Sequence, residues 1–401
     1  MPNLSSTDFD VTDLLCQLIA IPSVNPMGRS VDGSEFLEAR LSAWLVDFFS
    51  SIGAACEVRE VAPGRSNVIA SLDCPNATTT LLLDVHQDTV GVDGMTIPPF
   101  EPEVRDGRVY GRGASDVKGS MAVVLSTFAK LCRSRPKVGP NVVVSCSCDE
   151  ESTMLGIRDL VTCWTQTNNR NGLLSVAPDA AIVFEPTELN VVVAHRGVIR
   201  WQIRVSGTAC HSSDPSLGEN AIYKMAQVVR WLENYAQSLG QGSHRDPWCG
   251  IGSLSVGRIL GGTSVNIVPP DCEIEVERRL LPGEDAEHVL STLRQRLCQD
   301  LGFDVHFEPA WIHCPSLTAE DNGELADRLV AVAERADVSC KKIGVGYGTH
   351  ASTIARTGIP TVVFGPGSIS QAHTENEYIA IEQLKKASEI LDDLVRRELK
   401  P

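Results

Sequence analysis

Aromatic residues are scarce in this sequence, at 5% of the chain, and no apolar run approaches the roughly 20 residues that a spanning helix needs. No membrane partner is expected. Basic residues are outnumbered as well: 35 Lys and Arg stand against 51 Asp and Glu, for a formal net charge of −16. Phosphate backbones and anionic headgroups need a basic face, so nucleic acid is excluded as a partner too. No C-x-x-C pair occurs among the 13 cysteines, whose number is odd and whose spacing is scattered. They read as reduced thiols, mostly small core residues, and not as a disulfide framework. Residues Met1 to Asp8 carry neither the basic n-region of a secretory signal nor the Arg-rich character of a transit peptide, and a cytoplasmic location is the expectation. Nucleotide signatures are missing too. Gly111-x-Gly113-x-x-Asp116 lacks the third glycine of the dinucleotide fingerprint, and no G-K-[ST] occurs.

What is present is a long chain with enough apolar residues for more than one core. At 401 residues and 43% hydrophobic content, two domains are the default reading. Apolar spacing predicts a helix around Leu14 to Ile19, stopped by Pro22 and Pro26, and a second from about Ser34 to Ser51. Strand-like runs follow at 55–61, 67–72, 80–86 and 141–146, alternating with helical segments up to a strand at 181–184. After Gly197 the texture changes. Strand 198–206, helix 219–239, strands 251–260 and 271–281, helix 284–300 and strand 303–309 spell the β-α-β-β-α-β order of a ferredoxin-like domain. The α/β texture then resumes with helix 320–336, strand 359–364 and a terminal helix 381–399. The reading is a first domain formed by 1–197 and 312–401, with 198–311 inserted into it.

The stretch Thr80-Leu81-Leu82-Leu83 runs into His86-Gln87-Asp88, so a buried strand ends in polar groups. Strand alternation places His86 and Asp88 on one side, the layout of a metal-ligating histidine with a carboxylate behind it. A lone H-x-D also occurs as a simple polar cap. Here, however, the other strands end alike: Glu150 with Glu151, Glu185, and His373 after the Gly365-Pro366-Gly367 turn, with Asp116 on the glycine-rich turn. Open α/β sheets gather such ends along one crevice. Two imidazoles and several carboxylates without thiolate suit two divalent ions, Zn²⁺ or else Co²⁺ or Mn²⁺, sharing one carboxylate. Consecutive Glu150 and Glu151 cannot both face one metal from a regular strand, so one can ligate while the other takes a proton from water.

The segments "DVHQDTV", "GRGASDVKGSMA", "CDEES", "FEPTE", "GTACHSSDPSLGENAI", "GGTSVNIVP" and "GPGSISQAHTENEY" resemble the di-zinc amidohydrolases and exopeptidases. That family contains acetylornithine deacetylase, succinyl-diaminopimelate desuccinylase, aminoacylase and glutamate carboxypeptidase, and the resemblance runs over nearly the full length, leaning toward the acetylornithine deacetylase branch. It implies a mixed-sheet, zinc-exopeptidase-like α/β catalytic domain with an inserted ferredoxin-like lid and dimerisation domain. It further implies that His86 and Glu185 hold one metal, Glu151 and His373 the other, and Asp116 bridges them. By the same resemblance Glu150 is the general base acting on a metal-bridging water, Asp88 orients His86, His211 polarises the scissile carbonyl, in many members from a partner subunit, and Asn266 and Arg279 bind substrate. The implied activity is amide hydrolysis on an N-acyl amino acid in a homodimer, with a di- or aminopeptidase as the competing activity. A metal-binding dimerisation protein without turnover is the non-enzymatic alternative. Thr349-His350 stands where that branch has Thr before an acidic residue, and "EESTMLG" departs from the commoner "EE-x-G".

Overall fold

The computed structural model describes residues 9–166, 172–241 and 245–398. It divides into two units. The first comprises Met1–Val193, Ala319–Ile343 and Thr349–Pro401, the second Ala194–Thr318 and Gly344–Gly348. The boundaries therefore fall at 193/194 and 318/319 instead of 197/198 and 311/312. The reason is pairing: Cys314 bonds alongside Val198, and Leu317 alongside His195, which keeps the chain in the second unit beyond residue 311.

In chain order the first unit opens with α1 (Val11–Ile19), α2 (Ala39–Ser51), β1 (Ala55–Ala62), β2 (Arg65–Leu72), β3 (Thr80–His86), β4 (Glu103–Arg105) and β5 (Arg108–Tyr110). It continues with α3 (Lys118–Ser134), β6 (Asn141–Ser147), α4 (Leu155–Thr165), β7 (Ala180–Val183) and β8 (Val191–His195). The second unit holds β9 (Gly197–Ser206), α5 (Ala221–Gln241), β10 (Ser253–Gly261), β11 (Asp271–Leu280), α6 (Ala286–Leu301), β12 (His306–Phe307) and β13 (Ile312–Cys314). The remaining elements are α7 (Gly323–Arg335), β14 (Lys342–Val345), α8 (Ala351–Ala355), β15 (Thr361–Val363), β16 (Tyr378–Ala380) and α9 (Ile381–Val395). No helix among the described residues is long and apolar enough to cross a membrane. Residue 399, given to the last helix from the sequence, lies outside the described residues, as does the Met1–Asp8 segment.

The main sheet has the order β1-β2-β6-β3-β7-β15-β8-β14 and is mixed. β3 runs parallel to both β6 and β7, and β7 parallel to β15, whereas β1, β2 and β6 pair antiparallel. Leu81, Leu83 and Val85 enter a cluster that includes Leu14, Leu18, Phe48, Phe49, Phe128, Leu329 and Leu391, so α1, α2, α3, α7 and α9 cover one face. Alternation sends Leu82, Asp84 and His86 to the other face, where α4 and α8 contact the sheet. The Lys118 ammonium, buried at the start of α3, donates to the main-chain oxygens of Leu18 (3.1 Å) and Ile21 (2.6 Å), and burial pushes it down to about 7. It ties down the chain as it leaves α1, joining the Ile21 N–H as a donor to the Leu18 oxygen. α2 starts at Ala39 and not near Ser34, because Leu37 sits at φ +64° and the main chain of Glu35 and Leu37 bonds to Val24. β4, β5 and β16, short strands that the sequence pattern does not announce, form a separate three-stranded sheet.

In the second unit the order is β10-β11-β9-β12, with β13 also on β9. All these pairings are antiparallel, and numbered from the first strand the order is 2-3-1-4, that of the ferredoxin-like arrangement. Ala221, Met225, Val228 and Leu232 form one stripe of α5 and pack with Leu293 and Leu297 of α6 against Trp201, Ile203, Ile274 and Val276. The other sheet face carries ion pairs such as Arg200–Glu277 (2.7 Å) and Arg258–Glu275 (2.9 Å).

Phe128 is fully buried and meets Phe49 edge-on at 5.8 Å. Phe128→Ala should lower the stability of the first unit by about 3–5 kcal/mol. Urea unfolding followed by circular dichroism measures it, and a loss below about 1 kcal/mol would contradict this packing.

Candidate metal centre

β6, β3, β7 and β15 are neighbours in that order and run parallel, so their C-terminal ends open along one edge of the sheet. His86 ends β3, the turn Cys148–Glu151 follows β6, Glu185 follows β7, and the loop Gly365–Glu377 follows β15. Asp116 comes from the turn between β5 and α3, and the peptide bond after it is cis.

The result is two donor sets. His86, Asp116 and Glu185 form one, Asp116, Glu151 and His373 the other, each with its potential ligand atoms within 4.8 Å of one another. His86 Nε2 lies 3.2 Å from Asp116 Oδ1 and 4.0 Å from Glu185 Oε2. His373 Nε2 lies 3.3 Å from both Asp116 Oδ2 and Glu151 Oε2. Asp116 thus offers one oxygen to each imidazole.

The donors fit divalent cations on physical grounds. His86 Nδ1 is 2.9 Å from the main-chain oxygen of Asp88, which can only accept, so that nitrogen carries a hydrogen. A neutral ring then aims its bare Nε2 lone pair at carboxylate oxygens, and a cation between them satisfies both. Glu151 Oε1 is buried and has no partner among the described residues. The set contains nitrogen and oxygen but no thiolate, the mixture of a catalytic site and not of a closed structural zinc site.

The electrostatics of the protein groups alone agree. Burial disfavours a charged His86, yet the Asp116, Asp88, Glu185 and Glu150 carboxylates outweigh it and hold the ring well above the usual histidine range. Asp116 and then Glu151 push His373 up to about 10. Burial, helped by Asp116, pushes Glu151 up to about 7. Glu150 and Glu185 are raised well above the usual carboxylate range, by burial first and then, against the pull of His86, by neighbouring carboxylates. Asp116 moves the other way, because hydrogen bonds from His373 and His86 overcome its burial.

Asp88 orients its surroundings differently from the sequence expectation. Its carboxylate Oδ1 stands 3.6 Å from His86 Nδ1, and the ring bonds to the Asp88 main chain instead. The carboxylate accepts the N–H groups of Glu150 (3.0 Å) and Glu151 (3.1 Å) and the Asn25 amide (2.8 Å). So Asp88 holds the backbone of both glutamates. Glu150 belongs to neither donor set, and its carboxylate makes no hydrogen bond among the described residues.

His211, Asn266 and Arg279 belong to the second unit. His211 bridges Ile267 across two loops, and Ser212 N–H donates to the Asn266 main-chain oxygen at 3.0 Å, so His211 and Asn266 are held side by side. The Ser213 N–H donates to His211 Nδ1 at 3.1 Å, which leaves Nε2 as the hydrogen-bearing nitrogen of the neutral ring. Arg279, on β11, is paired with Glu277 at 2.8 Å. His350 is buried in the first unit with Nδ1 2.9 Å from Asp84 Oδ2 and 3.2 Å from Ser147 Oγ.

Sequence reasoning missed a layer behind the ligands. Asn25 bridges Asp88 and Asp149 through its amide (2.8 and 3.0 Å), and Arg65 pairs with both Asp149 and Glu38. Glu377 bonds to the turn that carries Asp116. The prolines around Asn25 and the glutamate following His373 were the available signals. Arg65 and Glu38 gave none, since their pairing depends on the folded chain.

The model of peptidase family M20/M25/M40 matches residues 82–397. Acetylornithine deacetylase of Photorhabdus laumondii subsp. laumondii is 32% identical over 398 residues, 96% of each chain. Among solved structures, the M20 family metallo-carboxypeptidase Sso-CP2 of Sulfolobus solfataricus superposes with a TM-score of 0.76 at 19% identity, covering 96% of this chain and 98% of that one. The Bacillus subtilis YXEP protein, a dinuclear metal binding peptidase, gives 0.69 at 17% identity, with 96% of each chain covered.

With His373 raised to about 10 and Glu151 to about 7, protons occupy these donors near neutral pH and must leave when a cation enters. Metal affinity should therefore rise with pH through this range. Calorimetric titration of metal-free protein with Zn²⁺ in two buffers of different ionisation enthalpy should show net proton release at pH 7, and zero release would contradict the protonation described.

Proposed function

The chain belongs to peptidase family M20/M25/M40, and from that premise we propose that it hydrolyses the amide bond of an N-acyl amino acid, with release of the acyl group. That it is a metal-dependent hydrolase follows from the family. The finer reading rests on one observation: of two consecutive glutamates held by Asp88, one lies in a donor set and the other, Glu150, stands outside both with an unbonded carboxylate of raised proton affinity.

In this reading His86 and Glu185 hold one divalent ion, Glu151 and His373 the other, and Asp116 both. When bound, the ions, Zn²⁺ in the first place with Co²⁺ or Mn²⁺ as substitutes, polarise the carbonyl and lower the pKa of the attacking water. Glu150 takes the proton from that water and returns it to the leaving nitrogen, for which a base well above the ordinary carboxylate range is suited. Asp88 keeps Glu150 in place through its backbone. His211, with Nε2–H free to donate, stabilises the developing oxyanion, while Asn266 and Arg279 engage the substrate carboxylate or acyl group.

The resemblance to acetylornithine deacetylase supports the N-acyl class, and peptide hydrolysis, with a dipeptide among its substrates, is the competing activity, a class to which the carboxypeptidase Sso-CP2 also belongs. A homodimer is part of the proposal. Tyr223 and Val265, 71% and 96% exposed, line one groove with Gly261 at the end of the edge strand β10, apolar surface that a second copy would cover. A cytoplasmic location is supported by 13 free cysteines.

Assayed on N-acetyl, N-succinyl and N-formyl amino acids beside dipeptides, the protein should cleave an N-acyl amino acid fastest, lose activity to chelator and regain it with Zn²⁺, Co²⁺ or Mn²⁺. Full activity of verified metal-free protein would sink the proposal, and preference for dipeptides would select the competing class. Glu150→Gln should keep its metal and lose a factor on the order of 10² to 10⁴ in kcat, whereas His86→Ala should lose metal. Equal metal depletion in both variants, by elemental analysis, would refute the division between base and ligand.

A further inference from the structure

Glu377 is fully buried, yet it lies in neither donor set. Its Oε1 accepts the N–H groups of Ser115 (2.8 Å) and Asp116 (2.9 Å), and its Oε2 accepts the N–H of Gly113 (3.0 Å) and the Arg112 guanidinium (2.8 Å). Every one of these donors lies on residues 112–116, the turn that ends in the shared carboxylate. Glu377 itself closes the loop that carries His373. One side chain therefore fastens together the loops that supply the bridging carboxylate and the imidazole of the second donor set, through bonds that an ionised acceptor makes short and strong.

We propose that Glu377 is a positioning residue for Asp116: it fixes the backbone so that Oδ1 faces His86 and Oδ2 faces His373, and binding of a second divalent cation depends on it. This rests on the reading of the centre as dinuclear. A single cation can be served by either oxygen of a loosely held carboxylate. Two at once require both oxygens to stay aimed in their opposite directions, at 3.2 and 3.3 Å from the respective imidazole nitrogens. A purely structural role makes another forecast. Losing the ion pair with Arg112 would then lower stability and leave the ratio of the two binding steps alone.

Glu377→Gln keeps the size but loses the charge and turns an amide NH₂ toward backbone N–H donors. Metal-free wild type and variant are dialysed against buffered Co²⁺, with bound metal counted by elemental analysis and its coordination followed by visible absorption. The wild type should take up two ions. In Glu377→Gln the first step should stay within about threefold of the wild type and the second should weaken about 10- to 100-fold, the usual cost of removing a group that orients a ligand. Unchanged steps in a folded Glu377→Gln, or equal weakening of both, would overturn the proposal. Should Glu377→Gln not fold, Glu377→Asp, which keeps the charge on a shorter stem, decides by the same criterion. Uptake of a single ion by the wild type would instead defeat the dinuclear reading itself.

Discussion

Crowding of like charge around Asp116 is the constraint on which the rest of the first unit depends. Asp116, Glu151 and Glu185 lie in two overlapping donor sets, and Asp88 and Glu150 adjoin them, with only two imidazoles for compensation. Burial first, and then repulsion between neighbouring carboxylates, makes such groups resist losing their protons, which is what the raised Glu150, Glu151 and Glu185 express. The protein meets this cost with geometry. Parallel strands deliver His86, Glu151, Glu185 and His373 to one edge, and backbone N–H groups hold Asp88 and Glu377 outside both donor sets.

Behind that layer stands a second, built from groups far apart in the chain. The Asn25 amide separates the Asp88 and Asp149 carboxylates while its oxygen accepts from Arg65, and Arg65 supplies positive charge to both Asp149 and Glu38. Burial, reinforced by Asp88, pushes the Glu38 carboxyl up to about 8, so at neutral pH it adds little further repulsion. Glu150, the base of the proposed reaction, thus rests on a backbone secured by Asp88, which is secured in turn by Asn25. A substitution two shells away can reach the reaction by that route.

Much of this was legible in the sequence because it depends on local pattern. The apolar run before His86 announced a buried strand, the repetition of acidic or imidazole residues at successive strand ends announced that these side chains would gather, and the change of texture after Gly197 announced a second unit. Other features were invisible because they depend on pairing at a distance. Nothing near Arg65 indicates that it would meet Asp149, and nothing near His350 indicates Asp84, its partner 266 positions earlier. The late start of α2 turns on one left-handed residue, Leu37, which helical periodicity does not reveal. The second-unit boundary moved for the same kind of reason, since β13 is too short to read as a strand until β9 is seen beside it.

The central claim is that Asp116 joins two cations. Its most direct test is a crystal structure of the Zn²⁺-loaded protein with anomalous scattering recorded on both sides of the zinc absorption edge. The account predicts two peaks roughly 3.5 to 4 Å apart, each in contact with a different oxygen of Asp116. A single peak, or two peaks of which only one touches Asp116, would contradict it.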